Sequence, residues 1–218
     1  MYILLDCCVS NNNIFLIIYK MNKLEKKIFV FDFDGTLITK DSLIEFIIFA
    51  KGKINFIIGL IICSPILIAY ICHLFPNWKA KQYLFSYFFK GMEYEEFKSI
   101  GIKFGDRIQS FTRTCILNKL IENCNKYQVY IISASVEEWI IPWANKWEKV
   151  KVLGTKVDVD KNGKLTGHFL TKNCYGVEKV NRLLEVEPNK DKYYLIAYGD
   201  SKGDFEMSKF ANEFYWIK

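Results

Sequence analysis

The chain lacks several features that define common protein classes. It has no zinc-type spacing of cysteine and histidine and no internal repeat, which excludes a zinc-bound module and a solenoid. Its seven cysteines follow no pattern, which indicates reduced thiols in a reducing compartment and not a disulfide framework. Residues 1–20 lack the basic start and the small-residue cleavage site of a signal peptide, and we expect a dispensable N-terminal extension there.

A strong excess of charge of one sign is also absent. The net charge of +6 comes from scattered lysines, which does not indicate nucleic-acid binding but fits an anionic substrate or a membrane surface. Hydrophobic residues, by contrast, make up 51% of the 218 residues and aromatic residues 17%, which excludes a disordered chain. This length suits one core domain with a modest inserted domain.

The most informative stretch is residues 28–37, an apolar run that ends in two aspartates and a glycine. The run predicts a strand that is buried on both faces. Asp32 and Asp34 leave the end of that strand on the same side, and burying them without partners would be costly. The turn at Gly35 and Thr36 lets the backbone approach a ligand closely. A hard cation and a phosphate are the ligands that suit this site.

Further polar groups follow predicted strands or open a predicted helix. Ser133 ends the second predicted strand, and Asp200 and Asp204 follow a later one. Lys179 falls in the first turn of a predicted helix, where a cation is unfavourable unless it faces an anion. Because ligands gather at the carboxyl ends of parallel strands, we expect these groups to meet near Asp32.

These motifs, in this order, resemble the four signature motifs of the haloacid dehalogenase-like (HAD) phosphohydrolases, subfamily IB, the phosphoserine-phosphatase-like branch. The resemblance covers residues 27–218. It implies an α/β fold with a Rossmann-like, doubly wound and mainly parallel sheet. Residues 21–37 and 123–218 would form this catalytic core, and residues 38–122 a helical cap that is inserted after the first strand.

The resemblance also implies a role for each motif residue. Asp32 would attack phosphorus and form an aspartyl-phosphate, while Asp34 would act as general acid and base. Ser133 and Lys179 would stabilise charge on the transferred group. The substrate-binding set would be Phe33, Gly35, Thr36, Ser133, Ala134 and Lys179. A magnesium ion, Mg²⁺, would be bound by Asp32, the backbone carbonyl of Asp34 and Asp200. Asp204 would orient Lys179 or a metal-bound water.

Residues 54–75 carry no formal charge and are long enough to span a bilayer, which takes about 20 apolar residues. A single crossing would place the first motif and the later motifs on opposite sides. We therefore expect two short helices bent at Ser64 and Pro65, which dip into one leaflet or pair as a hairpin. Flanking lysines suit a segment with both ends on the cytoplasmic face. The alternative is a wholly buried helical hairpin in a soluble cap.

The apolar segment and residues 171–179 are similar to the phosphatidylglycerophosphatase C type of HAD protein. That similarity implies a Mg²⁺-dependent phosphatase for a lipid phosphate such as phosphatidylglycerophosphate, peripheral or monotopic at the inner face of the cell membrane. The alternative is a soluble, cytoplasmic phosphatase for a small metabolite, of the phosphoserine phosphatase type. A third hypothesis is a non-enzymatic membrane or protein-binding module with the same fold.

Three local predictions concern a turn and two helix starts. A hairpin is predicted to reverse at residues 160–163, because Asn-Gly is a strong turn signal. Ser42 and Glu45 have the spacing of a capping box at the start of the first cap helix. Ser135 is predicted to cap the helix that follows the second strand.

Overall fold

The computed structural model describes residues 26–218, so the expected extension at residues 1–20 lies outside the described residues. The main sheet is built from β1 (Lys27–Phe31), β2 (Gln128–Val136), β3 (Val150–Thr155), β6 (Tyr194–Gly199) and β7 (Glu213–Trp216). Its strand order is β3-β2-β1-β6-β7, and every pairing is parallel. A separate antiparallel pair consists of β4 (Val157–Val159) and β5 (Leu165–Phe169).

Strand β1 lies in the middle of the main sheet, between β2 and β6. Its alternate residues point to opposite faces, so Ile28 and Val30 pack in one hydrophobic cluster and Phe29 and Phe31 in another. Both faces are covered, which is why the strand is apolar along its length. The carboxyl end of β1 therefore delivers Asp32 to the centre of the sheet edge.

Helices cover both faces of the sheet and form the insertion between β1 and β2. The insertion holds α1 (Ser42–Lys51), α2 (Lys53–Ile71), α3 (Asn77–Phe89), α4 (Tyr94–Ile108), a 3-10 turn (Gln109–Phe111) and α5 (Thr114–Cys124). The other helices are α6 (Glu137–Ala144), α7 (Val177–Val186) and α8 (Phe205–Phe210), with 3-10 turns at Lys190–Lys192 and Lys202–Asp204. The predicted α/β fold with helices inserted after the first strand is confirmed. The exact bounds of cap and core stay a prediction.

Helix α2 is one continuous helix that runs through Ser64 and Pro65. The predicted division into two short helices at this pair, and the hairpin within residues 54–75, are therefore wrong. Proline cannot donate the hydrogen bond that the Ile61 carbonyl would accept in a regular helix. The Ser64 hydroxyl donates to that carbonyl at 2.7 Å instead, so the carbonyl is satisfied and the helix continues.

The alternative of a wholly buried hairpin is also wrong, because α2 is mostly exposed. Within α2, Gly59 and Cys63 are the buried residues. A Cβ at Gly59 would lie 2.1 Å from the Phe88 ring, so glycine is what allows α3 to pack closely here. The large exposed side chains of α2 are mainly isoleucines: Ile54, Ile57, Ile58, Ile61, Ile62, Ile68 and Ile71.

The local predictions have mixed outcomes. The turn at residues 160–163 is confirmed, because β4 and β5 pair antiparallel across it. Helix α1 begins at Ser42, but its cap is Asp41, whose side chain accepts the Ile44 N–H at 3.0 Å. The predicted capping role of Ser42 is therefore wrong, and the reason lies in the contacts that its hydroxyl makes at the site described next.

Candidate active site

Asp32 and the residues after it lie beside the end of β6. The Asp32 N–H donates to the Tyr198 carbonyl at 2.9 Å, which extends the parallel pairing by one residue. Gly35 then turns the chain with a φ of +82°, and a Cβ there would lie 2.1 Å from Asp200 Oδ2. A glycine is required at this close approach, so the turn brings the first and the fourth motif together.

Lys179 is buried between two carboxylates. Its Nζ lies 2.5 Å from Asp32 Oδ1 and 2.5 Å from Asp204 Oδ1. Burial lowers the pKa of Lys179, but Asp32 and Asp204 outweigh this effect and raise the pKa above its ordinary value. The structure thus places this lysine against anions, as its position in the first turn of α7 predicts.

Asp204 also holds the loop that carries Asp200. Its second oxygen, Oδ2, accepts the N–H groups of Asp200 at 3.2 Å and Ser201 at 3.1 Å. Its first oxygen, Oδ1, accepts a hydrogen bond from Lys179, so both oxygens of this carboxylate already have donors. The geometry therefore suits Asp204 to positioning Lys179 and Asp200, while the exposed carboxylate of Asp200 is accessible to a ligand.

Asp34 accepts a hydrogen bond at each of its oxygens. Oδ1 accepts the Ser42 N–H at 2.9 Å, and Oδ2 accepts the Ser135 hydroxyl. The predicted capping role of Ser135 is therefore wrong: the cap of α6 is Val136, which makes no side-chain bond. The Ser135 hydroxyl donates to Asp34 and its oxygen accepts the Ser42 hydroxyl, so both of its roles are used at the site.

A chain of hydroxyl groups supports this bond. The Ser42 hydroxyl donates to Ser135 Oγ at 2.9 Å, and the Trp139 ring N–H donates to Ser42 Oγ at 3.1 Å. Each of the two serine hydroxyls accepts one hydrogen bond and donates another, so the Ser135 hydroxyl is oriented to donate to Asp34. Ser42 is therefore buried in this network and unavailable for capping α1.

Burial raises the pKa of both aspartates, and neighbouring cations oppose this effect. Desolvation raises the pKa of Asp32 to about 8, although Lys179 lowers it. Desolvation and then Asp41 raise the pKa of Asp34, while Lys81 and two hydrogen bonds lower it. A raised pKa favours the protonated form of Asp34, which is the form that a general acid needs.

The other predicted substrate-binding residues surround these carboxylates. Thr36 is buried, and its Oγ1 lies 3.3 Å from Asp32 Oδ2. Ser133 is buried within β2, three residues before the strand ends at Val136, whereas the sequence predicts that the strand ends at Ser133. The Phe33 ring packs in the core against Trp143, with ring centroids 5.5 Å apart, so its contribution to the site is limited to its backbone.

The donor set suits a divalent metal ion. Single carboxylate oxygens of Asp32, Asp200 and Asp204 lie within 4.8 Å of one another. Thr36 Oγ1 lies 3.4 Å from Asp200 Oδ1, which adds a further oxygen beside the cluster. Hard divalent cations prefer oxygen ligands, and a cation between Asp32 and Asp200 would offset the cost of burying the Asp32 charge. The expected metal set, which includes the carbonyl of Asp34, shares Asp32 and Asp200 with this cluster.

The family of the chain follows from its sequence match. A family model described as haloacid dehalogenase-like hydrolase matches residues 29–209. The chain belongs to this family. This haloacid dehalogenase-like hydrolase is 28% identical over 194 residues to protein CicA of Caulobacter vibrioides, and the match covers 87% of this chain and 85% of CicA.

Solved structures share the fold of this haloacid dehalogenase-like hydrolase. A protein with unknown function from Bordetella pertussis Tohama I has a TM-score of 0.71 and 14% identity, covering 87% of this chain and 88% of that one. A phosphoserine phosphatase, solved as an analogue of its phospho-aspartyl intermediate, has a TM-score of 0.57 and 21% identity, covering 87% and 85%. The expected likeness to the phosphoserine-phosphatase-like branch is confirmed in the fold.

Two residues outside the motif positions reach the site of this hydrolase. Lys81 extends from α3, and its Nζ donates to the Ala134 carbonyl at 2.9 Å. Asn173 has a buried side-chain oxygen that lacks a hydrogen-bond partner among the described residues. Both line a cavity of about 310 Å³, together with Asp41, Leu43, Leu67, Tyr70, Ala134 and Tyr175. We call it the catalytic cavity because Asp41 and Lys81, which shift the pKa of Asp34, line it, although the motif carboxylates are not among its lining residues. No sequence signal marks Lys81, because a lysine beside an apolar segment usually stays in water.

Proposed function

We propose that the protein hydrolyses a phosphomonoester through an aspartyl-phosphate on Asp32. One observation carries the proposal: Asp32 is buried at the end of the central strand against the Lys179 ammonium, with Asp34 two residues further on. A carboxylate held by a fixed cation is oriented for attack. The neighbouring carboxyl group, whose pKa is raised by burial, is suited to move the proton.

The reaction would take two in-line steps. An Asp32 oxygen attacks phosphorus, the bond to the leaving oxygen breaks, and Asp34 donates its proton to that oxygen. Asp34 then takes a proton from water as the water attacks phosphorus, which releases phosphate and restores Asp32. Lys179 and Ser133 stabilise charge on the phosphoryl oxygens. Mg²⁺ bound by Asp32, the Asp34 backbone carbonyl and Asp200 would neutralise the clustered negative charge.

We infer that the substrate is a lipid phosphate such as phosphatidylglycerophosphate, hydrolysed at the inner face of the cell membrane. Helix α2 is long and apolar enough to cross a membrane, and only 11% of its most apolar 18 residues are buried. Between Glu45 and Glu93 the chain has five lysines and no acidic residue, which suits an anionic membrane surface. Leu67 and Tyr70 of α2 line the catalytic cavity, which connects the apolar helix to the site.

The alternative substrate, a small soluble metabolite such as phosphoserine, is favoured by one observation. Lys81 and Asp41 line the same cavity and carry opposite charges. A cation and an anion that line one cavity would suit the carboxylate and the ammonium group of an amino acid. The similarity of fold to a phosphoserine phosphatase does not choose between the two substrates, because a fold does not determine a substrate.

Fractionation and phosphate-release assays of the full-length protein would separate these substrates. Protein prepared without and with detergent is assayed against phosphatidylglycerophosphate and phosphoserine, in Mg²⁺ and in EDTA. Detergent-extracted protein that cleaves only the lipid supports the membrane proposal, whereas soluble protein that prefers phosphoserine supports the alternative.

Two variants test the proposed nucleophile in the same assay. Asp32→Asn should abolish turnover, because an amide cannot form the aspartyl-phosphate. Asp106→Asn is the matched control, because Asp106 is exposed on α4 and outside the site. Activity of Asp32→Asn within about tenfold of wild type would rule out Asp32 as nucleophile.

A further inference from the structure

An exposed apolar surface lies beside the catalytic cavity on the core side. Leu170 is 65% exposed, Val177 60% and Tyr175 44%, and Trp78 of α3 is 44% exposed. All four line one groove of about 790 Å³, here called the mouth groove. Exposed apolar side chains that group in this way indicate contact with a partner or a membrane.

The mouth groove and the catalytic cavity adjoin each other. Asn77, Asn173 and Tyr175 line both of them. The catalytic cavity is also lined by Leu67 and Tyr70 of α2, the helix with the exposed isoleucines. Apolar groups of the cap and apolar groups of the core therefore flank the same opening.

The charges around this opening favour an anionic lipid surface as the partner. Lys172 lines the mouth groove, and Lys79 lies beside Trp78, with Nζ 5.4 Å from the ring centroid. Glu178, the acidic residue of the groove lining, is engaged by Arg182 at 3.2 Å. Lysines and an amphipathic aromatic ring around an apolar surface are typical of contact with an anionic bilayer.

We propose that Leu170, Tyr175 and Val177 of the catalytic core dock on an anionic lipid bilayer together with α2, so that the active site opens onto the membrane surface. This inference rests on the proposed lipid substrate and adds a membrane contact that lies outside the cap. A lipid phosphate then enters from the side of the bilayer. Its acyl chains stay among the lipids while its headgroup reaches the catalytic cavity.

Two valines at opposite ends of α7 provide a matched pair of variants. Val177→Asn removes an apolar group from the mouth groove without changing the net charge, so the attraction to anionic lipid is kept. Val186→Asn is the control, because Val186 is also exposed, at 44%, but lines neither the mouth groove nor the catalytic cavity. About 13 Å separates the two positions along the helix.

Binding is measured by flotation of the full-length variants with vesicles of phosphatidylcholine and phosphatidylglycerol. We expect Val177→Asn to weaken binding on the order of tenfold, as the loss of one buried valine predicts. Val186→Asn should bind as the wild type does. Circular dichroism on heating checks that both variants are folded, and Leu170→Asn provides an independent second variant at the groove.

Equal binding by Val177→Asn, Leu170→Asn and the wild type would overturn the proposal, and so would a wild-type protein that does not bind these vesicles. Binding and turnover are separate readouts. Vesicle binding that depends on Val177, in a protein that cleaves no lipid phosphate, would support the docking surface and refute the lipid substrate.

Discussion

Replacement of Lys179 by methionine removes the cation between Asp32 and Asp204 and keeps a side chain of similar length. The Nζ lies 2.5 Å from each carboxylate, and the three side chains are 4%, 8% and 2% exposed. Breaking a buried ion pair of this kind costs about 3–5 kcal/mol, because charges are left without compensation. For a chain of this size the corresponding fall in Tm is roughly 6–20 °C.

The loss of stability should depend on pH. Burial already raises the pKa of Asp32 to about 8 from its ordinary 3.8, and without the lysine this pKa should rise further. A carboxyl group whose pKa is raised in the folded state destabilises the fold when the pH is high enough to ionise it. The penalty disappears as the pH falls and the group is protonated in both states. The difference from wild type should therefore be larger at about pH 9 than at about pH 6.

Thermal unfolding followed by circular dichroism, in EDTA, measures both effects. Lys164→Met is the control, because Lys164 pairs with Glu93 at 3.3 Å with side chains that are 48% and 56% exposed. Such a surface pair contributes less than about 1 kcal/mol. If Lys179→Met lowers Tm no more than the control, or by an amount that is independent of pH, then Lys179 does not neutralise buried carboxylates.

Three further predictions concern single positions. Ser135→Ala removes a hydrogen bond that Asp34, the proposed general acid, accepts. Turnover should therefore fall about tenfold to hundredfold, and the alkaline limb of the pH–rate profile should move to higher pH. Gly35→Ala should reduce activity more than about a hundredfold, because a Cβ would lie 2.1 Å from an Asp200 oxygen; Gly163→Ala, also at positive φ but with no atom closer than 4.0 Å, should keep it. Desolvation raises the pKa of Glu138 from 4.5 to about 7, so the wild type loses stability as the pH rises through this range. Glu138→Gln should be more stable at about pH 8 by roughly 1–3 kcal/mol in thermal unfolding, and equal pH dependence of both proteins would contradict this.

Local pattern in the sequence was sufficient for the positions of the motifs, and their resemblance to a known family implied the fold class. A strand that is apolar on both faces is predicted to be buried. The two aspartates after it mark the point where the strand leaves the core, because a charge inside the core would be costly. A lysine in the first turn of a helix likewise indicates an anion nearby. These inferences need only neighbours along the chain. The α/β fold and the HAD family were implied by the resemblance of the motifs, and both are confirmed. The catalytic roles of the motif residues stay predictions.

Other features depended on residues far apart in the sequence. The local sequence predicts that Ser135 caps a helix, but in the structure its hydroxyl donates to Asp34 and accepts from Ser42. Lys81 reads as a lysine beside an apolar segment, but α3 carries it to the end of β2. Periodicity and spacing do not encode such contacts.

The sequence by itself determined that Asp32 and Lys179 belong to a polar site at the ends of buried strands, because burial and helix position are local properties. The tertiary structure alone decided how that site is completed. Of the two roles expected for Asp204, it supports the one in which Asp204 holds Lys179, and it leaves the apolar residues of α2 exposed beside the catalytic cavity. The local sequence allows several roles for a polar side chain. Hydrogen bonds and close packing choose among them, and these contacts form only when distant segments of the chain come together.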